Sequence, residues 1–209
     1  MNLKYGQLDI LEQELETLLP MHRIAFAAAC CERLFPNYGI FLREIKEQGW
    51  NEQDPIREAL DEIWGFLAGK KVDVSRFRQL LFNCERYFYD SENEETPEGQ
   101  RGAWIVCNTI ELCLAQTPQQ TFLVAKEIDE TLFEYIDYLR CQSEDESSED
   151  ISHEQLLEIV ANHPFTVREM AKQSEDLQRL REIPTLTPEF LQWLRTSSEN
   201  GGKSLLDLS

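Results

Sequence analysis

The sequence predicts an all-α protein, a single compact bundle of about nine or ten helices. Apolar residues recur with the period of a helix along almost the whole chain, and the two-residue alternation of a strand is nearly absent. Glycine and proline are scarce, with 9 and 8 copies in 209 residues, which is fewer than the turns of a strand-rich protein require. Several predicted helices also begin with a capping residue followed by proline, which is typical of a helix start.

Apolar stripes predict five helices in the first part of the chain, at approximately 8–18, 20–35, 37–48, 54–68 and 73–88. Pro36 is expected to end the second helix, because a proline inside a helix removes a backbone hydrogen bond. Asn37 is then expected to cap the third helix, and Gly49 lies just past its end. Asp54 and Pro55 pair a capping residue with a first-turn proline at the start of the fourth helix.

Five more helices are predicted at approximately 102–116, 118–139, 152–162, 164–180 and 188–194. The acidic run at 90–101 is expected to form a loop. Ser152 and Gln155 have the spacing of a capping box, in which each side chain accepts a hydrogen bond from the other residue's backbone amide. Pro164 and Pro188 occupy first-turn positions of the last two helices.

We expect one helical domain over residues 1–209. Residues 1–141 form the main bundle in this prediction, and the charged run QSEDESSED makes 142–150 an acidic linker. Residues 151–209 carry too few apolar side chains to fold alone, so their helices are expected to pack back on the main bundle.

Charge distinguishes this composition from that of an average protein. There are 39 Asp and Glu residues against 20 Lys and Arg residues, and the net charge is -19. Such a surface repels nucleic acid phosphates and anionic membranes, so neither is an expected partner. It favours a protein partner of basic character, or self-association of the chain, and good solubility alone is the simpler interpretation.

No residue pattern of a known enzyme class occurs, and no cofactor or metal site is predicted. The three histidines lie in different segments, and none follows a glutamate at the spacing of a di-iron bundle. Paired-cysteine zinc motifs, phosphate-binding loops and nucleophile elbows are absent. A magnesium site made of carboxylates alone, in the acidic runs 92–95 or 144–146, is the one metal alternative, and solvated charge is the simpler interpretation of both runs.

The location expected from the sequence is the cytoplasm. The N-terminus lacks the pattern of a signal peptide, and no stretch has the length and apolar character of a membrane span. The six cysteines are therefore expected to be reduced thiols, most of them on apolar helix faces.

The segment HRIAFAAACCERLFPNYGIF, residues 22–41, combines a long apolar run with two adjacent cysteines and an adjacent pair of opposite charges. Each residue of a helix advances by about 100°, so Glu32 and Arg33 point in different directions, as do Cys30 and Cys31. An apolar setting raises the pKa of a thiol and lowers its reactivity. We therefore predict mostly packed core followed by a helix break.

Two interpretations are open for the polar residues of this segment, Glu32, Arg33, Asn37 and Tyr38. In the first, which we favour, Glu32 or Arg33 ties the expected turn to a neighbouring helix, because buried charges need partners and buried ion pairs most often serve structure. In the second, the four residues form a polar pocket in which Arg33 holds an anion and Glu32 or Tyr38 orients it.

The segment CERLFPNY at residues 31–38 resembles the signature of the YjaG-like bacterial family of proteins of unknown function, DUF416. Weaker similarities are the apolar helix AWIVCNTIELCLA, the Asn162–Pro164 segment, and Leu194-Arg195 with the glycine-containing turn and apolar tail that follow. The resemblance covers most of the chain and implies an all-helical cytoplasmic bacterial protein. It implies no reaction, cofactor or site residue, and the acidic run 142–150 departs from the family pattern.

Two functions from different classes are compatible with these features. The first is a non-enzymatic protein-interaction or regulatory module with an acidic surface. The second is a small-molecule binder or enzyme that uses a polar pocket at Glu32, Arg33 and Tyr38. A more remote hypothesis is an acidic surface that mimics nucleic acid and occupies a basic groove.

Overall fold

The computed structural model describes residues 3–47, 54–71, 73–90, 97–115, 117–142, 151–198 and 206. Within these ranges every regular element is a helix, which confirms the predicted all-α class. The helices are α1 (Leu8–Glu16), α2 (Pro20–Glu47), α3 (Pro55–Leu67), α4 (Val74–Asp90), α5 (Pro97–Ala115), α6 (Pro118–Gln142), α7 (His153–Asn162), α8 (Pro164–Glu182) and α9 (Pro188–Ser198).

Asp54 and Ser152, two of the predicted capping residues, act at helix starts. The Asp54 side chain accepts a hydrogen bond from the Ile56 amide at 2.9 Å, and Pro55 occupies the first turn of α3. Ser152 and Gln155 make both bonds of the capping box before α7, at 3.2 Å and 2.8 Å. Each bond satisfies an amide that has no partner inside its helix, so these starts are encoded locally.

The predicted helix break at Pro36 is wrong, because α2 continues through it from Pro20 to Glu47. A proline inside a helix costs about 3 kcal/mol or more. Leu34 and Leu42 are buried on the two sides of the proline, and each such burial contributes roughly 1.5–3 kcal/mol, which offsets that cost. Asn37 therefore lies inside a helix and caps none, and Gly49 lies outside the described residues.

The acidic stretch at 90–101 is helical at both ends, at Asp90 in α4 and at residues 97–101 in α5, which corrects the predicted loop at those positions. Pro97 occupies the first residue of α5, where its missing N–H costs nothing. Residues 91–96 lie outside the described part of the chain, as do 143–150. Both acidic runs considered for magnesium therefore lie outside the described residues. The predicted acidic linker does so as well, except for Gln142, which is the last residue of α6.

Helix α2 is the central element of the bundle and contacts α3, α5, α6, α8 and α9. Every residue from His22 to Leu34 is buried, and four of them are alanines, whose small side chains let neighbouring helices approach closely. Leu177 and Leu180 of α8, with Leu191 and Leu194 of α9, belong to the same apolar core. The C-terminal helices thus share a core with the first half of the chain.

Among the described helices, none combines the length and apolar character needed to cross a membrane.

Helix α5 approaches α2 closely at Gly102. A Cβ atom at this position would lie 2.9 Å from Cβ of Tyr38 and 3.3 Å from the carbonyl oxygen of Leu34. Contacts this short between heavy atoms are repulsive, so only glycine allows the observed spacing of the two helices.

Substituting Gly102 by alanine is expected to lower the free energy of unfolding by about 1–3 kcal/mol, because the new methyl group must push α5 away from α2. The matched control is Gly39→Ala, at a helical glycine of α2 where a Cβ atom would meet no described atom of another helix within 4 Å. That control is expected to raise the free energy of unfolding by roughly 0.5–1 kcal/mol. Urea unfolding measures both, and equal effects of the two substitutions would contradict the close approach.

Candidate functional site

The polar side chains of the central helix do not converge on one point. Glu32 faces α3 and α9, whereas Arg33, the next residue, faces α8 and α9. Tyr38 donates a hydrogen bond to Oδ1 of Asp54 at 2.9 Å and so supports the capping residue of α3. The side chain of Asn37 is buried, and neither atom of its amide group has a hydrogen-bond partner among the described residues.

Glu32 is the acceptor at the centre of a cluster between α2, α3 and α9. Arg57 binds both of its carboxylate oxygens at 2.9 Å, in the bidentate geometry that makes arginine–carboxylate pairs strong. Nε1 of Trp64 donates to Oε1 of Glu32 at 2.8 Å, and Nε of Arg195 lies 2.9 Å from the same oxygen. Asp61 joins the cluster by binding both arginines, at 2.7 Å and 2.5 Å. Two carboxylates and two guanidinium groups thus neutralise each other.

Arg33 is the centre of a second cluster, between α2, α8 and α9. Its Nε lies 2.8 Å from Glu169, and a terminal nitrogen lies 2.9 Å from Asp176 and 3.3 Å from Oγ of Ser198. Lys172 adds a second cation at 2.5 Å from Asp176. Burial alone would lower the pKa of Arg33, but nearby charges, that of Glu169 above all, raise the pKa well above its usual range. The guanidinium therefore stays charged and paired.

The two adjacent cysteines of α2 lie in the apolar core and are free thiols. Burial raises the pKa of Cys30, and it raises the pKa of Cys31 to about 12 even though Thr109 forms a hydrogen bond with that sulfur at 3.2 Å. A thiol that stays protonated at neutral pH is a poor nucleophile. These side chains contribute to packing.

A cleft on another side of the bundle has a volume of about 470 Å³. It lies between the N-terminal segment, α6 and α7. Its polar lining residues are Tyr5, Lys126, Asp129, Glu130, Glu134 and His153. Leu8, Phe133 and Leu157 supply apolar walls. The volume and the mixed lining are typical of a ligand-binding cleft.

Asp129 is the buried acidic group of this cleft, with 8% of its surface exposed. Its Oδ1 is buried and has no hydrogen-bond partner among the described residues, and a backbone hydrogen bond from Gly6 reaches the carboxylate. Burial raises the pKa of Asp129 to about 7, and the charges of Glu169 and Glu130 add to the rise. Gly6 has a φ of 77°, a backbone conformation that favours glycine, in the turn that brings the N-terminal segment to α6.

The other carboxylates of the cleft have cationic partners. Lys126 lies 2.6 Å from Glu130, and Arg101 lies 2.6 Å from Glu134 and 3.4 Å from Glu130. Arg101 also pairs with Glu127, next to the cleft. Within the described part of the chain, Asp129 is therefore the one carboxylate lining the cleft without a cation. No group of three His, Cys, Asp or Glu side chains among the described residues is arranged to hold a metal ion.

The sequence analysis missed this cleft. The available signal was Asp129 itself, a charged residue that follows Ile128 and lies one turn from Ala125 and Leu132 on the buried stripe of α6. A carboxylate at a core position is costly, so it indicates a functional or structural requirement. The residues that complete the cleft lie on the N-terminal segment and α7, and their spacing to Asp129 has no pattern in the sequence.

Comparison with known proteins places these features in one family. A family model described as "Protein of unknown function (DUF416)" matches residues 10–209. The chain is 26% identical over 191 residues to "Uncharacterized protein YjaG" of Escherichia coli strain K12, and the match covers 91% of each chain. The crystal structure of a DUF416 family protein from Shewanella baltica has the same fold, with a TM-score of 0.78, 22% identity, and coverage of 95% of this chain and 97% of that one.

Replacing Arg33 by methionine is expected to lower the free energy of unfolding by about 3–5 kcal/mol, because Glu169 and Asp176 would lose a cation inside the protein. Lys70→Met is the control, since Lys70 forms an exposed pair with Glu62 whose loss should cost less than about 1 kcal/mol. Chemical denaturation measures both values. A loss for Arg33→Met as small as that of the control would contradict the role assigned to Arg33.

Asp129→Asn should stabilise the protein increasingly as pH rises. The folded state holds the Asp129 proton more tightly than the unfolded state, so the stability this group contributes is present at low pH and is lost as pH rises through about 7. The asparagine variant lacks that loss, and its advantage over the wild type should grow by about 2 kcal/mol between roughly pH 5.5 and pH 8.5. Urea unfolding across this range measures the difference. A difference independent of pH would contradict the raised pKa.

Proposed function

We propose that this chain, which belongs to the DUF416 family, is a non-enzymatic cytoplasmic module that binds a basic protein partner through the acidic cleft. The observation that carries the proposal is Asp129, a buried carboxyl group that lines the cleft and has no cation beside it in the described part of the chain. A positively charged side chain from a partner would supply the missing charge. Lowered solvent exposure in the cleft would strengthen that contact relative to one on an open surface.

The overall charge supports the same kind of partner. A net charge of -19 attracts a basic protein over long range and raises its rate of association. A second copy of this chain would bring like charge to the cleft, so a basic partner is favoured over self-association. The cytoplasmic part of the proposal is supported by the six free cysteines, which fit a reducing compartment.

The polar side chains of Glu32, Arg33 and Tyr38, which do not converge on one site, have a structural role in this proposal. Each charged group there binds an opposite charge of the protein itself at 2.9 Å or less. An incoming ligand would have to displace those partners, which would leave buried charges unpaired. The cleft at Asp129 requires no such displacement.

Affinity capture from an Escherichia coli lysate tests the proposed function at low and at high salt. The wild-type chain is expected to retain a basic protein at low salt and to release it at high salt, because salt screens attraction between charges. A variant with Asp129→Asn, Glu130→Gln and Glu134→Gln should retain much less of that protein, as measured by quantitative mass spectrometry.

The matched control removes three carboxylates from exposed positions outside the cleft, with Glu175→Gln, Glu182→Gln and Glu189→Gln. Both variants carry the same net charge. Equal retention by the two variants would assign the binding to general surface charge and reject the cleft as the binding site. The absence of any salt-sensitive partner of the wild type would reject the proposed function.

A further inference from the structure

We infer that the cleft between the N-terminal segment, α6 and α7 binds a protonated alkylamine, with the ammonium group against Asp129 and the carbon chain along Phe133 and Leu157. The inference rests on the proposed function and names the chemical group of the partner that the cleft holds, which is the side chain of a lysine. The same chemistry is present in a free diamine, and the experiment below separates the two sources.

The acidic end of the cleft has the groups that an ammonium ion requires. Asp129 lies on α6 next to Glu130, which also lines the cleft. Glu130 is 2.6 Å from the ammonium of Lys126, whereas no ion pair of Asp129 is present among the described residues. Charged hydrogen bonds of this kind are stronger than those between neutral groups.

The state of Asp129 in the free protein supports this assignment. Its carboxyl group is largely covered by protein, and one oxygen has no hydrogen-bond partner among the residues that the structure describes. Burial, with the charges of Glu169 and Glu130, raises its pKa to about 7. An adjacent cation favours the ionised form of a carboxyl group and lowers its pKa. A bound ammonium would therefore remove the electrostatic penalty that the ionised group carries in the free protein.

The walls of the cleft fit the rest of an alkylamine. Leu8, Phe133 and Leu157 present apolar surface, and the rings of Tyr5, Phe133 and His153 also line the cleft. The rings of Phe133 and His153 lie with their centroids 6.0 Å apart. Methylene groups bury favourably on such surface, and aromatic faces attract a cation as well.

Other ligand classes fit the lining less well. An anion would meet Asp129, Glu130 and Glu134 and gain only Lys126, which is already paired. A metal ion needs several ligands at one point, and no three acidic, histidine or cysteine side chains of the described residues are arranged in that way. An elongated organic cation needs only one buried carboxylate and an apolar channel, and the cleft provides both.

Isothermal titration calorimetry of the full chain at about pH 8 tests the inference with three probes: Nα-acetyl-lysine amide, 1,5-diaminopentane, and Nα,Nε-diacetyl-lysine amide as the uncharged comparison. The two cationic probes are expected to bind, and the diacetylated probe is not. Tighter binding of the lysine derivative would assign the ammonium to a protein side chain, and tighter binding of the diamine would assign it to a free amine.

Asp129→Asn should weaken the binding of both cationic probes by about ten-fold or more, because it removes the charge and keeps the shape of the side chain. Glu130→Gln, at a half-buried position where the carboxylate already pairs with Lys126, should weaken it by less. Asp137→Asn is the control, since Asp137 lies on the same helix but outside the cleft and pairs with Arg140. Unchanged binding by Asp129→Asn, or binding of the diacetylated probe as strong as that of the cationic ones, would overturn the inference.

The inference and the proposed function fail in different ways. If a basic protein is captured in a manner that depends on the cleft carboxylates but no cationic probe binds, the alkylamine inference is overturned and the proposed function stands. If the cationic probes bind, and their binding depends on Asp129, but no protein partner is captured, the alkylamine site stands and the proposed function is rejected.

Discussion

The position of Arg33 inside the protein is the constraint on which the arrangement of the helices depends. A guanidinium group buried in the middle of α2 must be surrounded by anions, and Glu169 and Asp176 are the two that α8 supplies. Ser198 of α9 completes the contacts. One charged side chain of the central helix thus contacts both C-terminal helices, and the same two helices share an apolar core with α2.

The buried charged groups of the two clusters and the cleft are of two kinds, those paired with opposite charges and Asp129. Around Arg33 and Glu32, anions and cations are present in matched numbers at hydrogen-bonding distances, so these clusters hold helices together. Glu169 binds Arg33 but also contributes to the raised pKa of Asp129, whose own carboxyl group pairs with no cation of the described residues. The unmatched charge is the one that lines a cleft of about 470 Å³, and this difference is why binding is assigned there.

Local chemistry explains how much of this structure the sequence could predict. Asp54, Ser152 and the first-turn prolines act within a few residues of themselves, so the helix starts that they mark were predictable. The continuation of α2 through Pro36 was not, because tertiary burial on both sides decides it. Partners of Arg33 lie more than 130 residues away in the chain, and no local pattern connects them. No sequence pattern predicts that Asp129 lies near Tyr5 or His153. The carboxylate of Asp129 on the apolar stripe of α6 was the one sequence feature that indicated the cleft.

The most direct test of the account is the titration of the Asp129 side chain, followed by NMR of its carboxyl carbon in the free chain and with saturating Nα-acetyl-lysine amide. An unmatched buried carboxyl group predicts a midpoint at about pH 7 in the free chain and a clearly lower midpoint with the cationic probe. A midpoint near the ordinary aspartate value of about 4 in both samples would mean that the group is already solvated or paired, which would contradict the account.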